Sequence, residues 1–381
     1  MKSRDKLKIL ISRNSAGAIG GAELSAADQA EVLTDLRHQV IFVSGLSGLK
    51  VRLPAGIKRI GWLISMSDGP FRQLRQIVLL PVNFIQALSI AWHQSPDVIN
   101  PHSREDQIAF TLTRWLHHRP VVWKNAGDLR YFIKPGRRGL AGLNQKLLEA
   151  AVRRADHIYS LNQDDNDYLL AHVKGLHSAK LSTIPSSILF KHYDKSARMP
   201  KPAKTVVGTA IRLHPDKGVQ DLIDAFLYID RADMELWIVG DGVFRSELET
   251  LAGHDPRIKF FGHQAELSPF LNSFDIFVQP AHYEPWGRNL IEAMYFGKAI
   301  VAAQVGGLAS QIDDGQTGLF FQAGDHQALA AQIQKLADDP KLRQQLGGQA
   351  AKVAQQRGDF SKIIEHQILP IYETVTGGNR G

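Results

Sequence analysis

Two glutamates separated by seven residues form the most specific chemical pattern in the sequence. Glu284 and Glu292 follow an apolar run over residues 276–279, and Gly287 lies between them. A carboxylate accepts several hydrogen bonds, which suits the hydroxyls of a sugar or a ribose. Backbone amides over residues 288–290 would begin a helix and favour an anion. The alternative is two unrelated acids, one of which caps a helix.

A second pattern places two cations around a predicted strand-to-helix turn. Arg212 and Lys217 follow the apolar run 206–210, and only four residues separate them. Cations on both sides of such a turn can hold a diphosphate. They would also balance the charge of a departing diphosphate without a divalent metal. The alternative is a surface turn in which Pro215 and Asp216 begin a helix.

A glycine-rich segment over residues 14–23 follows the first apolar run of the chain. It contains Gly20 and Gly21 and precedes an amphipathic helical pattern. Glycine lets the backbone come close to a phosphate or a sugar. No Gly-Lys-Ser/Thr follows, so the segment is not a P-loop. The alternative is a flexible turn.

Three further patterns are less specific. Residues 239–242 resemble half of a dinucleotide fingerprint, but the third glycine is missing. Acidic residues over 164–167 begin a predicted helix, where acids are favoured anyway. The histidines show no zinc-ligand spacing, and the chain has no cysteine. The sequence therefore predicts neither a zinc site nor a dehydrogenase.

Short apolar runs alternate with helical patterns, which predicts parallel sheets covered by helices on both faces. The predicted strands cover residues 7–11, 40–43, 98–100, 121–123, 157–160, 181–184, 206–210, 235–239, 258–261, 276–279, 299–302 and 318–321. The predicted helices cover residues 22–36, 71–93, 105–118, 144–155, 165–172, 218–230, 244–253, 288–297, 325–337, 340–356 and 360–374.

The pattern restarts near residue 205, after a polar segment over 191–204 that we predict as a linker. We therefore predict two doubly wound, Rossmann-like α/β domains, over residues 1–190 and 205–357. Such folds bind ligands at the carboxyl ends of their strands. A central cleft between two facing domains is the predicted site.

Charge is distributed unevenly along the chain. Residues 1–200 carry 28 basic and 16 acidic side chains, whereas residues 201–381 carry 17 and 22. A basic half is typical of a protein that faces an anionic membrane, a phosphorylated acceptor or nucleic acid. No nucleic-acid motif is present, so we predict no nucleic-acid partner. The alternative is a generally solvated basic surface.

The same sequence features predict where the protein works. No run reaches about 18 apolar residues, and the apolar stretch near the start is too short for a signal peptide. The lack of cysteine fits a reducing compartment. We predict a cytoplasmic protein that is peripheral on the inner face of the membrane. The helix over 71–93, with Arg72 and Arg75, is a candidate for that contact, although it also fits a core-packed helix.

Together these residues resemble family 4 glycosyltransferases of the GT-B fold. The resemblance covers almost the whole chain and is strongest from about residue 205 to residue 322. It rests first on the Glu284–Glu292 pair and on Arg212 with Lys217. The other matching motifs are Gly240-Asp241-Gly242, Gly306-Gly307, Asp314-Gly315-Gln316-Thr317-Gly318, Gly20-Gly21-Ala22-Glu23 and Asp97-Val98-Ile99-Asn100-Pro101-His102-Ser103.

The resemblance implies retaining, metal-independent transfer of a hexosyl unit from a UDP- or GDP-linked sugar, with no cofactor. Arg212 and Lys217 would hold the diphosphate, Glu284 would bind the sugar and Glu292 the ribose. The catalytic set would be Arg212, Lys217 and Glu284. The other implied donor contacts are Gly20, Gly21, Gly240, Gly262, His263, Gly287, Arg288, Asn289 and Leu290. The last helix, over 358–381, would return to the first domain.

Three positions depart from the family's pattern. Ala126 stands where a sugar-contacting histidine is common, Ser186-Ser187 replaces Asn-Gly, and Ser310 replaces an acid. We predict that the acceptor is bound by His102, Asn125 and Asp128, one of which would replace the histidine.

Similarity to bacterial members predicts a glycan or glycolipid acceptor in lipopolysaccharide or other cell-envelope glycan synthesis. Two alternatives stay open. One is a nucleotide-sugar epimerase of the same fold, and the other is a non-catalytic nucleotide-sugar-binding protein.

Overall fold

The chain forms two compact units, Met1–Ser186 with Phe360–Gly381, and Ser187–Asp359. The computed structural model describes residues 6–14, 20–45, 53–62, 78–127 and 129–377. Each unit is an α/β structure on parallel strands, which confirms the predicted Rossmann-like class.

The first unit is built on strands β1 to β7, whose central members are almost wholly apolar. Ile9, Leu10 and Ile11 of β1 have no exposed surface, as expected for a strand covered on both faces. The described strands are β1 Lys8–Arg13, β2 Gln39–Gly45, β3 Lys58–Trp62, β4 Val98–Pro101, β5 Val122–Asn125, β6 His157–Ser160 and β7 Leu181–Thr183. They pair in the orders β3-β2-β1-β4 and β5-β6-β7, and a bridge between Ile99 and Val121 joins the two groups.

Helices cover this sheet. They are α1 Gly21–Asp35, α2 Leu80–Gln94, α3 Arg104–Leu112, α4 Arg114–His117, α5 Leu129–Phe132, α6 Gly139–Arg154 and α7 Gln163–His172. The predicted helix over 105–118 divides into α3 and α4. At the break, Thr113 Oγ1 donates to the Ala109 carbonyl at 2.7 Å, a back-bond that competes with regular helix geometry.

The second unit has one parallel sheet in the described residues, in the order β10-β9-β8-β11-β12-β13. Its strands are β8 Thr205–Ala210, β9 Met234–Val239, β10 Ile258–Gly262, β11 Ile276–Gln279, β12 Ala299–Ala303 and β13 Leu319–Phe321. Its helices are α8 Val219–Tyr228, α9 Arg245–Ala252, α10 Ser268–Ser273, α11 Arg288–Tyr295, α12 Gly306–Ala309, α13 His326–Asp338 and α14 Pro340–Arg357. The strand order reverses between β8 and β11, which is where doubly wound sheets bind ligands.

The C-terminal helix belongs to the first unit. It consists of α15 Phe360–Ile363, a π-helical turn Ile364–Ile368 and α16 Leu369–Gly377. Pro370 lacks an N–H and would clash with a carbonyl four residues earlier, and the wider turn relieves this conflict. Buried Tyr372 accepts a 2.7 Å hydrogen bond from Gln29 Nε2 of α1.

The segment over 191–204, which the sequence predicts as a linker, falls within the second unit and contacts it. The Asp194 amide donates to Ser268 Oγ at 3.2 Å, and the Met199 amide donates to Ser273 Oγ at 3.1 Å. Polar residues and prolines resemble a free linker, but here the backbone amides of Asp194 and Met199 bond to serine side chains of α10.

The predicted helix over 71–93 is described only from residue 78, so Arg72 and Arg75 lie outside the described residues. Across the described ranges, we find no helix with the length and apolar character that a membrane span requires.

Candidate functional site

Most of the predicted donor-site residues follow β8 and β11, the two strands at the switch point of the second sheet. Arg212 and Lys217 come after β8, whereas Glu284 and Gly287 come after β11. The sheet therefore brings two segments distant in sequence to one edge. The crevice outside such an edge is the usual ligand site of this architecture.

Lys217 and Glu284 form the central ion pair of this edge. Lys217 Nζ lies 3.1 Å from Glu284 Oε2, and it also donates to the Tyr283 carbonyl at 3.3 Å. Glu284 Oε1 accepts the Gly287 amide at 3.0 Å. Both side chains are largely but not fully buried, at 19% and 16% exposed. A predicted diphosphate-binding cation and a predicted sugar-binding acid are therefore in direct contact.

The Gly306–Gly307 pair holds the loop that carries Glu284. The Gly307 amide donates to the Glu284 carbonyl at 2.9 Å. A Cβ on Gly306 would lie 2.4 Å from that same carbonyl oxygen, and one on Gly307 would lie 2.2 Å from the Pro285 oxygen. Gly306 also has φ +45°, which disfavours other residues. The pair therefore serves close backbone packing beneath Glu284.

Arg212 is the exposed cation of the site. Within the part of the chain that the structure describes, no carboxylate contacts its guanidinium. The turn that follows it is fixed to the other loop, because the His282 amide donates to the Asp216 carbonyl at 2.9 Å. His282 Nε2 also donates to Asp221 Oδ2 at 2.5 Å. Arg212 is therefore held on a braced turn with its charge open to solvent.

Glu292 is buried in α11 and is held by two donors on one oxygen. Tyr193 Oη donates to Glu292 Oε1 at 2.6 Å, and Arg288 Nε donates to the same oxygen at 3.0 Å. Arg288 Nη2 lies 3.3 Å from Tyr193 Oη. The structure thus places Arg288 in a network around Glu292. Burial, and then the neighbouring Glu292 carboxylate, raise the pKa of Tyr193.

Asn289 ties the two strands of the switch point together. Its Nδ2 donates to the Ala210 carbonyl at 2.9 Å and to Gln279 Oε1 at 2.6 Å. The Leu290 amide donates to the Gly287 carbonyl and to Asn289 Oδ1, both at 3.1 Å. The side chain of Asn289 and the amide of Leu290 therefore brace the site in this structure.

Gly240, Gly262 and His263 lie at the same edge: Gly240 follows β9, Gly262 ends β10 and His263 comes next. The Gly240 amide donates to the Gly262 carbonyl at 2.8 Å. A Cβ on Gly240 would lie 1.9 Å from the Ile211 oxygen, next to Arg212. His263 follows Gly262 and is exposed. The structure therefore brings these three residues beside the segment that carries Arg212.

Gly20 and Gly21 belong to the first unit, where Gly20 precedes α1 and Gly21 begins it. Glu23 Oε2 accepts the Gly20 amide at 2.9 Å, and Glu23 Oε1 accepts Arg13 Nη2 at 2.8 Å. Burial opposes ionisation of Glu23, but the Arg13 guanidinium and the amide contacts outweigh it and lower its pKa. The rest of the glycine-rich segment, 15–19, lies outside the described residues.

The predicted acceptor residues His102 and Asn125 lie in the interior of the first unit, 7% and 1% exposed. His102 Nε2 donates to Asn100 Oδ1 at 2.8 Å. Burial, and then the charges of Lys124 and Arg13, hold the pKa of His102 well below its usual range, so it is neutral.

Asn125 bonds within the same unit. Its Nδ2 donates to Ser160 Oγ at 3.0 Å, and its Oδ1 accepts the Gly127 amide at 3.1 Å. The Asn125 side chain therefore joins β5 to β6, whereas His102 bonds back to β4. Asp128, the third predicted acceptor residue, lies outside the described residues.

Sequence reasoning missed Tyr193 and the roles of Arg13 and Glu23. Tyr193 lies in the polar segment that was predicted as a linker, and no periodicity marks it. Glu23 follows Gly20 by three residues, which is the spacing of a helix-capping acid. That spacing was the available signal for Glu23.

Curated relatives match parts of the chain. The capsular polysaccharide biosynthesis glycosyltransferase CapM of Staphylococcus aureus is 26% identical over 182 residues, which are 46% of this chain and 48% of CapM. The lipopolysaccharide core biosynthesis glycosyltransferase LpsD of Rhizobium meliloti is 34% identical over 178 residues, which are 46% of this chain and 50% of LpsD. The chain thus spans about half the length of the curated relatives it matches.

Solved structures share the fold along nearly the whole chain. HepE of Anabaena, solved with UDP and glucose, has a TM-score of 0.77 at 23% identity, covering 97% of this chain and 99% of that chain. Sucrose-phosphate synthase of Thermosynechococcus elongatus has a TM-score of 0.83 at 19% identity, covering 98% and 100%.

Two family models match successive parts of the chain. The model of Glycosyltransferase Family 4 matches residues 19–188, and that of Glycosyl transferases group 1 matches residues 194–353. The second match contains the Lys217–Glu284 pair, Arg288 and Glu292, and it begins one residue after Tyr193. The two models together cover most of the sequence, and the chain belongs to the family 4 glycosyltransferases of the GT-B fold.

Proposed function

We propose that the chain is a retaining hexosyltransferase that uses a UDP- or GDP-linked sugar. Its acceptor is a saccharide or lipid-linked saccharide in lipopolysaccharide or other cell-envelope glycan synthesis. The Lys217–Glu284 ion pair beside exposed Arg212 carries the proposal, because it joins a diphosphate-binding cation to a sugar-binding acid. The capsular and lipopolysaccharide relatives support the acceptor class.

The proposed reaction needs charge stabilisation more than an added acid or base. Arg212 and Lys217 stabilise the negative charge that develops on the departing diphosphate. The acceptor hydroxyl oxygen bonds to the anomeric carbon as the carbon–oxygen bond to the diphosphate breaks. Attack comes from the face that the diphosphate leaves, so the configuration is retained. The acceptor proton passes to the leaving phosphate oxygen.

Metal independence is part of the proposal. A diphosphate needs cations on its oxygens, and we assign this role to Arg212 and Lys217, which lie on one turn. Glu284 then binds hydroxyls of the sugar, and Glu292 binds the ribose. Transfer should therefore proceed equally with EDTA and with added Mg²⁺. A requirement for Mg²⁺ would contradict this part of the mechanism.

Thermal unfolding with nucleotides tests the donor site. We expect either the UDP or the GDP series to stabilise the protein in EDTA, and the UDP complex of HepE makes UDP the first to measure. At a hundredfold excess over Kd the expected gain is about 2.7 kcal/mol. Arg212→Ala and Glu292→Ala should each remove most of it. If neither series stabilises the folded wild-type protein, the proposed donor site is wrong.

Product analysis separates transfer from the two alternatives. A transferase forms a new glycoside only when the acceptor is present, with the anomeric configuration of the donor. An epimerase converts the donor alone, and a binding protein gives no product. Incubation of a labelled donor with cell-envelope extract, followed by chromatography and NMR of the product, distinguishes all three.

We also propose that the first unit contacts the anionic inner face of the membrane. Four side chains on one face of the α2 region and one on α4 form an exposed apolar patch, the α2 surface: Val78, Val82, Ile85, Trp92 and Trp115. Helix α2 carries no Lys, Arg, Asp or Glu. Tryptophan favours the membrane–water boundary, and the basic N-terminal half matches anionic lipid.

A further inference from the structure

Tyr193 makes the shortest contact to the buried carboxylate of Glu292. Its hydroxyl lies 2.6 Å from Glu292 Oε1, although the two residues are 99 positions apart in the chain. Tyr193 follows the boundary between the units at Ser187 and precedes β8. Neither the Glu-x7-Glu pattern nor the periodicity of the sequence indicates this contact.

Aromatic packing fixes the position of Tyr193. Its ring meets Tyr295 and Phe296 edge-on, with centroids 6.3 Å and 6.1 Å apart. Phe190 stacks on Tyr295 at 4.3 Å, and Lys195 Nζ lies 3.8 Å from the centroid of the Tyr295 ring. The segment around Tyr193 is therefore anchored to the end of α11, the helix that carries Glu292.

The two oxygens of Glu292 have different surroundings. Oε1 accepts from both Tyr193 and Arg288, whose Nη2 also reaches the tyrosine hydroxyl. Oε2 accepts no hydrogen bond from the residues that the structure describes. A carboxylate oxygen without donors is the atom that a ligand hydroxyl can use. Fixing the other oxygen in advance lowers the ordering cost of binding.

We propose that Tyr193 is a positioning residue for donor recognition, which with Arg288 holds Glu292 so that Oε2 accepts from the ribose hydroxyls. The inference rests on the proposed function and deepens it. It assigns the choice of ribonucleotide over deoxyribonucleotide to a Tyr193–Arg288–Glu292 network. Neither Tyr193 nor Arg288 needs to touch the donor for this role.

Nucleotides with and without ribose hydroxyls show whether Tyr193 positions Glu292 or only supports the fold. Isothermal titration of wild-type protein with UDP and GDP first selects the base. The selected ribonucleotide is then compared with its 2′,3′-dideoxy analogue, in wild type and in Tyr193→Phe. The phenylalanine keeps the ring contacts and removes only the hydroxyl. Tyr228→Phe, at an exposed tyrosine of α8, is the matched control.

We expect Tyr193→Phe to weaken binding of the ribonucleotide about tenfold, as for loss of a hydrogen bond to a charged group. Binding of the dideoxy analogue should stay within about twofold of wild type, because that analogue has no hydroxyl for Glu292. Tyr228→Phe should change neither. Lysine cannot contact both Glu292 and Tyr193, so an Arg288→Lys variant should show the same pattern of nucleotide affinities as Tyr193→Phe. It replaces Tyr193→Phe in the test if Tyr193→Phe does not fold.

Two outcomes overturn the inference in different ways. Equal weakening of both nucleotides by Tyr193→Phe, or no weakening of either, assigns the tyrosine to packing while the donor site stands. Absence of nucleotide binding by folded wild-type protein refutes the proposed function and this inference with it.

Discussion

Lys217 Nζ and Glu284 Oε2 lie 3.1 Å apart, although the two residues are 67 positions apart in the chain. The pair joins the loops after β8 and β11, the strands at which the sheet reverses its order. Glu284 therefore offsets part of the charge of Lys217 when no donor is present. Because of this contact, we expect removal of the Glu284 charge to strengthen binding of the nucleoside diphosphate but to slow sugar transfer.

Glu284→Gln should strengthen binding of UDP or GDP about fivefold while slowing transfer about a hundredfold. The amide keeps the shape of the side chain and removes a negative charge beside Lys217, so the diphosphate meets a stronger cation. The same change weakens the contact to the sugar that forms in the reacting complex. Titration with the nucleoside diphosphate and initial rates with the nucleotide sugar measure the two effects.

Glu266→Gln is the matched control, since Glu266 is an exposed glutamate of the same unit. It should leave affinity and rate unchanged. Weaker binding of the nucleoside diphosphate to Glu284→Gln would show that the acid supports the diphosphate site rather than opposing it.

Gly307→Ala should reduce transfer at least tenfold and lower stability by about 1–3 kcal/mol. Its Cβ would meet the Pro285 oxygen at 2.2 Å, so the loop that carries Glu284 must shift. Gly348→Ala is the control, because a Cβ at that position in α14 has no heavy atom within 4 Å. It should be neutral or slightly stabilising, as alanine is in a helix.

Denaturant unfolding and initial rates of both glycine variants give the comparison. If Gly307→Ala were as active and as stable as Gly348→Ala, the close packing beneath Glu284 would not be required.

The sequence predicted the two Rossmann-like units and every described strand except β3, because apolar runs of three to five residues mark buried parallel strands. Strand β3 is largely exposed and has no such run. It also predicted that Lys217 and Glu284 belong to one site. It did not predict Tyr193, since a half-buried tyrosine in a polar segment has no periodic signal. The sequence did not predict the burial of His102 either, because burial of a single polar residue depends on the packing of several elements.

Asp106 should make the stability of the first unit fall as pH rises. Burial, and then the charge of Glu105, raise the pKa of its carboxyl from 3.8 to about 7, against the opposing contacts of Ser12, Asn14 and Arg13. The stabilisation from the protonated form is complete below about pH 4 and is lost as pH rises to about 7.

Asp106→Asn removes that titration. Chemical denaturation of both proteins between pH 4 and 8 should show wild type losing stability relative to the variant through this window. Parallel profiles across the window would refute the buried, protonated state of Asp106.

Ile85→Glu combined with Trp115→Glu should abolish binding to anionic vesicles. Ile85 is 68% exposed and Trp115 is 71% exposed. Burial of a large apolar side chain contributes about 1.5–3 kcal/mol, so removing two from the α2 surface should weaken membrane binding more than a hundredfold. Val243→Glu, at an 82% exposed valine of the second unit, is the matched control and should bind like wild type.

Co-sedimentation with phosphatidylglycerol-containing vesicles measures this binding, and phosphatidylcholine vesicles and added salt test its charge dependence. Binding should weaken with salt, because surface attraction falls off over a Debye length of about 8 Å at physiological ionic strength. The double variant should keep donor binding, since both substitutions lie in the first unit while Arg212, Glu284 and Glu292 lie in the second. If the double variant bound vesicles as well as Val243→Glu does, the α2 surface would not be the membrane contact.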